Sequence, residues 1–340
     1  MYSDNSNRSR AASARRFMAL CAIMLAMALG SMASPATGAP FVYVVNEGDG
    51  TVSVIDPATN TVVTTVRVGS HPRGVAVTPD GKHAYVTNAA SKTVSVIDTA
   101  TNTAVGIPIP VGDNPFVITV APDGKHAYVT NLTSKTVSVI DTATNTMEPK
   151  VITVGDRPVK VAVAPDGKHA YVTNNGSNNV SVIDTASNKA VATVAVGSFP
   201  EGVAVTPDGK RVYVPNAGSN NVSVIDTATN AVVTTVGAMS HPRGVAVTPD
   251  GKHAYVTNAA SNSVSMIDTA TNTVAGTPIL VGDNPFVVTV APDGKHAYVT
   301  NLTSNSVSVI DTATNTVVAT VPVGINPIGV GIASPPPGVP

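Results

Sequence analysis

Beyond residue 40 the chain is written in short apolar runs separated by polar clusters, and the runs have strand length rather than helix length. The stretch Pro158–Gly197 shows the order. Val159–Ala164 reads as an apolar strand ended by Pro165-Asp166-Gly167, where Pro fixes φ and Gly supplies a permissive position. His169–Asn174 reads as a second strand, Asn175–Asn179 as a polar loop and Val180–Asp184 as a third strand. Thr185–Lys189 is the next turn, with Asn188 suited to the left-handed conformation and Asp184 placed to bind nearby amides. Ala190–Val196 completes the unit as an outer strand, and Gly197 opens the link to the next one.

That unit recurs. Tyr43, Tyr85, Tyr128, Tyr171, Tyr213, Tyr255 and Tyr298 each stand in a Tyr-Val-x-Asn segment, at intervals of 42 or 43 residues. The Ile-Asp pairs ending at Asp56, Asp98, Asp141, Asp184, Asp226, Asp268 and Asp311 keep the same step. So do the prolines Pro72, Pro115, Pro158, Pro200, Pro242, Pro285 and Pro327. Four antiparallel strands per 42–43 residues match a β-propeller blade, whereas a β-helix coil is far shorter. The fold class expected is therefore all-β: a seven-bladed β-propeller of four-stranded antiparallel blades over residues 41–333. The first unit starts at its second strand, Phe41–Asn46, and the chain ends with a lone first-type strand, Ile328–Ala333. Those two should pair within one blade and close the ring, hiding edges that would otherwise template aggregation.

Composition agrees with strands and excludes a helical bundle. Leu occurs only six times in 340 residues, three of them before residue 30, while β-branched Val and Thr abound. With 43% hydrophobic residues the chain can bury a large core, which excludes disorder.

The N-terminus has a different character. Arg8, Arg10, Arg15 and Arg16 precede an apolar run from Phe17 to Gly30 and a Ser31-Met32-Ala33 site, the pattern of a secretory signal peptide over 1–33. The run is short for a membrane span; an uncleaved anchor and twin-arginine export through Arg15-Arg16 are the alternatives. Residues 34–40 would be a linker and the Pro-rich 334–340 a tail with no evident anchor. Cleavage after Ala33 removes Cys21, the only cysteine, and with it disulfides, thiol catalysis and Cys-based metal sites. It also removes four Arg and Asp4, so 16 basic residues face 20 acidic ones and the mature charge is −4. No nucleic-acid partner and no membrane span in the mature chain are expected.

The Tyr-Val-Thr-Asn segments, as at Tyr85–Asn88 and Tyr298–Asn301, carry Pro-Asp-Gly-Lys before them and Ile-Asp-Thr-Ala-Thr-Asn after. In these residues the chain resembles the YVTN family of β-propeller repeat proteins over about residues 41–333. Departures are few: Val45 and Pro215 replace the Thr, and Met239 stands where a linker Gly would be. The resemblance implies a seven-bladed propeller, commonly exported and found in surface-layer and envelope proteins. It implies little chemistry, because propellers host unrelated functions.

The copies can be compared with one another. The recurring Asn (Asn88, Asn131, Asn174 and equivalents) is expected to cap the second strand. The five Lys-His pairs, such as Lys82-His83, are dispersed round the ring and cannot converge on one metal. Variation concentrates beside the recurring Pro, at His71/Arg73, Asn114/Phe116, Arg157/Val159, Phe199/Glu201, His241/Arg243, Asn284/Phe286 and Asn326/Ile328, with Lys160 as an added charge. These links lead into the innermost strands and should ring one mouth of the channel. The candidate partner- or ligand-binding residues are thus His71, Arg73, Phe116, Arg157, Lys160, Phe199, Glu201, His241, Arg243 and Phe286. Duplication is the competing explanation for some of them. Residues 70–146 and 240–316 differ at ten of 77 positions, so Arg73/Arg243 and Phe116/Phe286 are inherited pairs. Asp113, Asp156 and Asp283 could hold a cation, but Asx-turn capping is favoured because a hard cation wants six or more oxygens.

No catalytic residues, metal site or cofactor are assigned. The only glutamates are Glu47, Glu148 and Glu201, there is no Trp to stack a quinone, and no Cys-x-x-Cys-His offers covalent haem. The function expected is an exported, non-enzymatic, monomeric binding scaffold in the cell envelope or at the cell surface, with an envelope protein or glycan as partner. A propeller enzyme at the channel mouth, lactonase-like or a cofactor-dependent oxidoreductase, is the alternative. Single-stranded DNA binding is a second alternative, opposed by the negative charge and the sparse aromatics.

Overall fold

The computed structural model describes residues 40–237 and 239–333. The expected signal peptide (1–33), all of the linker (34–40) but Pro40, and the Pro-rich tail (334–340) lie outside them. The strands of the described residues form seven antiparallel sheets. Blade 1 has the order Pro327–Ile332, Val42–Asn46, Thr51–Asp56, Thr61–Arg67, so the last strand of the chain does pair with the first. Blade 4 runs Pro158–Val163, His169–Asn174, Asn179–Asp184, Lys189–Ala195, from the channel outward, within a residue of the bounds read from sequence.

Both faces of the second and third strands are buried, which is why they read as continuous Val, Ala and Ile runs rather than as alternating ones. The apolar side chains gather into seven clusters, each between neighbouring blades. Tyr213, Val222 and Val224 of blade 5, for example, pack on Val245, Ala254 and Val256 of blade 6. The cluster joining Val307 and Val309 to Val42 and Val44 completes the circle between blades 7 and 1.

Polar residues of the repeat tie blades together. Tyr43, Tyr85, Tyr213 and Tyr255 each donate a hydroxyl hydrogen bond at 2.6–2.7 Å to the turn Asn of the following blade: Asn102, Asn145, Asn272 and Asn315. Those Asn residues are left-handed, with φ of 52–55°, as is Asn188 at 50°. The motif Asn does more than cap. Asn88 donates to Thr93 and Ser95 on the third strand and accepts from the Gly69 amide of the link. Gly69 must be small there, because a Cβ would overlap the Asn88 side chain. Where Met239 replaces that Gly, its side chain is buried between blades 5 and 6, and Asn258 accepts from Ser240 instead.

Two blades depart from the plan. In blade 3 the outer strand is split into Thr146–Met147 and Ile152–Thr153, with Pro149 between them. In blade 5 the inner strand shrinks to Ala204–Val205.

Candidate functional site at the channel mouth

The inner strands of blades 1, 2, 3, 4, 6 and 7 carry a bulge, and the bulge sets the site. In blade 2, Pro72 pairs with Asn88 and Val75 with Val86, so Arg73 and Gly74 together oppose Thr87. Blade 4 does the same with Val159 and Lys160 opposite Thr173. A bulge leaves an amide without its ladder partner, and the motif Thr supplies one. The Gly74, Val117, Lys160, Gly244 and Val287 amides donate to the hydroxyls of Thr87, Thr130, Thr173, Thr257 and Thr300 at 2.7–3.1 Å. Four of those hydroxyls donate onward to the next blade, at the Phe116, Val159, Glu201 and Phe286 carbonyls. Val45 of blade 1 and Pro215 of blade 5 have no hydroxyl to offer; the inner strand keeps its full length in blade 1 and is shortened in blade 5.

The bulges turn their residues into a central cavity of about 290 Å³. Arg73, Phe116, Lys160, Glu201, Arg243 and Phe286 line it, among mainly apolar walls that include Val75, Ile118, Val159 and Val330. Arg73 is held on three sides. Its Nε donates to Glu47 at 2.9 Å, its Nη1 to Asn114 at 3.2 Å, and its guanidinium stands 5.0 Å from the Phe116 ring centre. Arg243 stands equally over Phe286, but its ion pair with Glu201 is 3.8 Å long and its buried Nε has no hydrogen-bond acceptor. Burial pushes the Glu201 carboxyl up, against the pull of Arg243 and Arg157. Lys160 makes no ion pair with any described carboxylate, and burial lowers its amine from the ordinary lysine value to about 8.

The other four candidates do not line the cavity. His71, Arg157, Phe199 and His241 precede the link prolines, all in the left-handed region with φ of 51–53°. Links and loops share one face: the Asp156 and Ser198 amides donate to Ser177 and Ser219 of the loops after the second strands. Phe199 is 55% exposed there. Burial and Arg243 hold the His241 ring below its usual pKa. The structure therefore separates the ten residues into a lumenal set of six and an outer set of four. Sequence reasoning left Glu47 without a role, although it is one of three glutamates and follows a Tyr-Val-x-Asn segment. The link carboxylates are not Asx caps. Asp113 and Asp156 pair with Lys92 and Lys135 at 2.8 and 2.7 Å, and Asp283 accepts from Asn262. Among the described residues no group of three or more His, Cys, Asp or Glu could hold a metal ion.

The family model of YNCE-like β-propellers matches residues 5–337. The chain belongs to that family. Among solved structures, this YNCE-like propeller is similar to hydrazine synthase of Kuenenia stuttgartiensis, with a TM-score of 0.74 and 28% identity over 84% of this chain and 99% of that one. A protein of Desulfotomaculum acetoxidans described as functionally unknown shares the fold at a TM-score of 0.77 and 18% identity, over 87% of this chain and 99% of that one. Dihydro-haem d1 dehydrogenase NirN shares it at 0.64 and 19%, over 82% of this chain and 63% of that one. The curated protein PE_PGRS18 of Mycobacterium tuberculosis is 58% identical over 38 residues, which span 11% of this chain and 8% of that protein.

Proposed function

We propose that this YNCE-like propeller is an exported binding scaffold rather than a catalyst. In this reading it meets an envelope protein or glycan on the face that carries the inter-blade links. The observation that supports it is backbone conformation. Three links place Asn in the left-handed position, at Asn114, Asn284 and Asn326, which Asn tolerates well. Two adjacent links instead hold Arg157 and Phe199 in the same conformation, where a bulky side chain costs on the order of 1 kcal/mol. The fold does not need them, since the other blades do without. They place a cation and an exposed aromatic ring on adjacent links, the residue types that dominate binding hot spots.

The test is a double substitution, Arg157→Asn with Phe199→Asn, the residue that three links already use. The mature protein should keep its thermal midpoint, or gain slightly, and lose its envelope partner in co-purification from the cell envelope fraction. Retention of every partner by this variant would exclude the link face. Export is tested by fractionation and N-terminal sequencing, which should find the mature chain outside the cytoplasm and beginning at Ser34.

A further inference from the structure

The lumen asks for something different from the link face. Three cations line one cavity, Arg73, Lys160 and Arg243, and Glu201 is the one acid among its lining residues. Arg73 is matched by Glu47, just outside, and Arg243 is partly matched by Glu201. Lys160 is left over. The walls thus present one surplus positive charge and one buried Arg243 N–H with no acceptor. A buried donor without a partner is costly, and the orphaned Arg243 N–H and the unpaired Lys160 ammonium lining one cavity are a standing demand for an acceptor-bearing anion.

Lys160 is also not required by the fold. The equivalent bulge position is Gly in blades 1, 2, 5 and 6, at Gly329, Gly74, Gly202 and Gly244, and Val in blades 3 and 7, at Val117 and Val287. Added Cβ atoms at those glycines would collide with the backbone of the next blade's inner strand. Only blade 4 extends a long side chain into the lumen from this position.

We propose that the channel cavity is a binding site for a small organic monoanion, a carboxylate on a compact apolar body, held by the Lys160 ammonium and the Arg243 Nε. One surplus charge selects a monoanion. The Phe116, Phe286, Val and Ile walls select an apolar body. At about 30 Å³ per water molecule the cavity has room for roughly ten non-hydrogen atoms, the size of an aromatic or short aliphatic acid. Binding the anion would restore the proton affinity that burial takes from Lys160, so complex formation above neutral pH should take up a proton.

The probe is benzoate, titrated calorimetrically into the mature protein at pH 7.0, with neutral benzamide as its isostere. Benzoate is expected to bind at least tenfold more tightly than benzamide. Lys160→Val, the residue that blades 3 and 7 carry, should abolish that preference, and Lys160→Arg should keep most of it. At pH 8.5, titrations in buffers of different ionisation enthalpy should show uptake of about half a proton or more by the wild type and none by Lys160→Val. The other titratable or charged groups of the cavity are Glu201, Arg73 and Arg243, with Arg157, His241 and Glu47 beside them; Lys160→Val leaves all of these in place, so the difference between the two proteins reads the Lys160 amine alone. Benzoate binding no tighter than benzamide, a preference that survives Lys160→Val, or the absence of proton uptake by the wild type at pH 8.5 would each overturn the proposal. The last reading needs no variant to fold. The site is independent of the link face: Arg157→Asn/Phe199→Asn should still bind benzoate, and Lys160→Val should still bind the macromolecular partner.

Discussion

The guanidinium of Arg73 lies 5.0 Å from the centre of the Phe116 ring on the next blade, while its Nε donates to Glu47 on the previous one. One side chain thus spans three blades. Arg243 repeats the stacking on Phe286 but not the hydrogen bond. The two arginines descend from one duplicated segment and differ in what surrounds them. Glu47→Gln should therefore destabilise the protein by about 1–2 kcal/mol, the worth of a partly buried charge-assisted hydrogen bond. Glu201→Gln should shift stability by less than about 0.5 kcal/mol, because its 3.8 Å ion pair with Arg243 carries no hydrogen bond and burial offsets the attraction. Urea denaturation of the two variants side by side checks the contrast, and equal losses would contradict it.

Blade 5, like blade 1 with Val45, lacks the hydroxyl that serves the bulge in the other five blades. Pro215→Thr should restore an acceptor for the Gly202 amide and a donor toward blade 6. A gain of about 1 kcal/mol is expected, with slower hydrogen exchange at Gly202 through Val205. Unchanged exchange there would mean that the short inner strand has another cause.

Lys160 should cost stability at neutral pH. Its folded-state pKa of about 8 lies below the ordinary lysine value, so the unfolded chain holds the proton more tightly. The penalty is fully present below pH 8 and is relieved as pH rises from there toward about 10. Lys160→Val is expected to be more stable than wild type at pH 7 by on the order of 2 kcal/mol, with the gap narrowing by pH 9.5. Denaturation midpoints of the two proteins compared from pH 7 to 9.5 measure this directly, because tyrosine ionisation on unfolding is common to both.

The repeated turn aspartates set the acid limit. Asp141 accepts from the Thr144 and Ala143 amides and the Thr144 hydroxyl, and Asp98, Asp226, Asp268 and Asp311 are held in like manner, so each carboxyl sits below its usual pKa. A depressed folded-state pKa gives stability that is complete above the unfolded value, near pH 4, and is lost as pH falls through the folded one. The thermal midpoint should decline steadily below about pH 4. Asp141→Asn should lower the plateau and make the decline shallower.

The architecture was legible because the repeat states it seven times. Tyr-Val-x-Asn, Pro-Asp-Gly and Ile-Asp-Thr-Ala are local signals, and period, turn chemistry and strand length follow from neighbouring residues alone. Even the closure of blade 1 could be read from the missing strand at one end and the surplus strand at the other. The bulge that follows the link Pro in six blades was not legible. It depends on the pairing register of two strands and on a Thr hydroxyl some thirteen residues away, and nothing in the Pro-x-x-Val pattern requires it.

That bulge is also why the ten candidate residues, equivalent in the sequence, divide in space. Residues before the Pro stay on the link face in left-handed conformation, and those after it turn into the lumen. The chain by itself determined seven blades, their strands and the ring in which they close, because those follow from short-range pattern and burial. Only the tertiary structure decided that Arg73 meets Glu47, that Arg243 does not gain an equivalent hydrogen bond, and that Lys160 stands unmatched in the channel. Those relations join residues from different blades, and they exist only once inter-blade packing has brought the inner strands around a common axis.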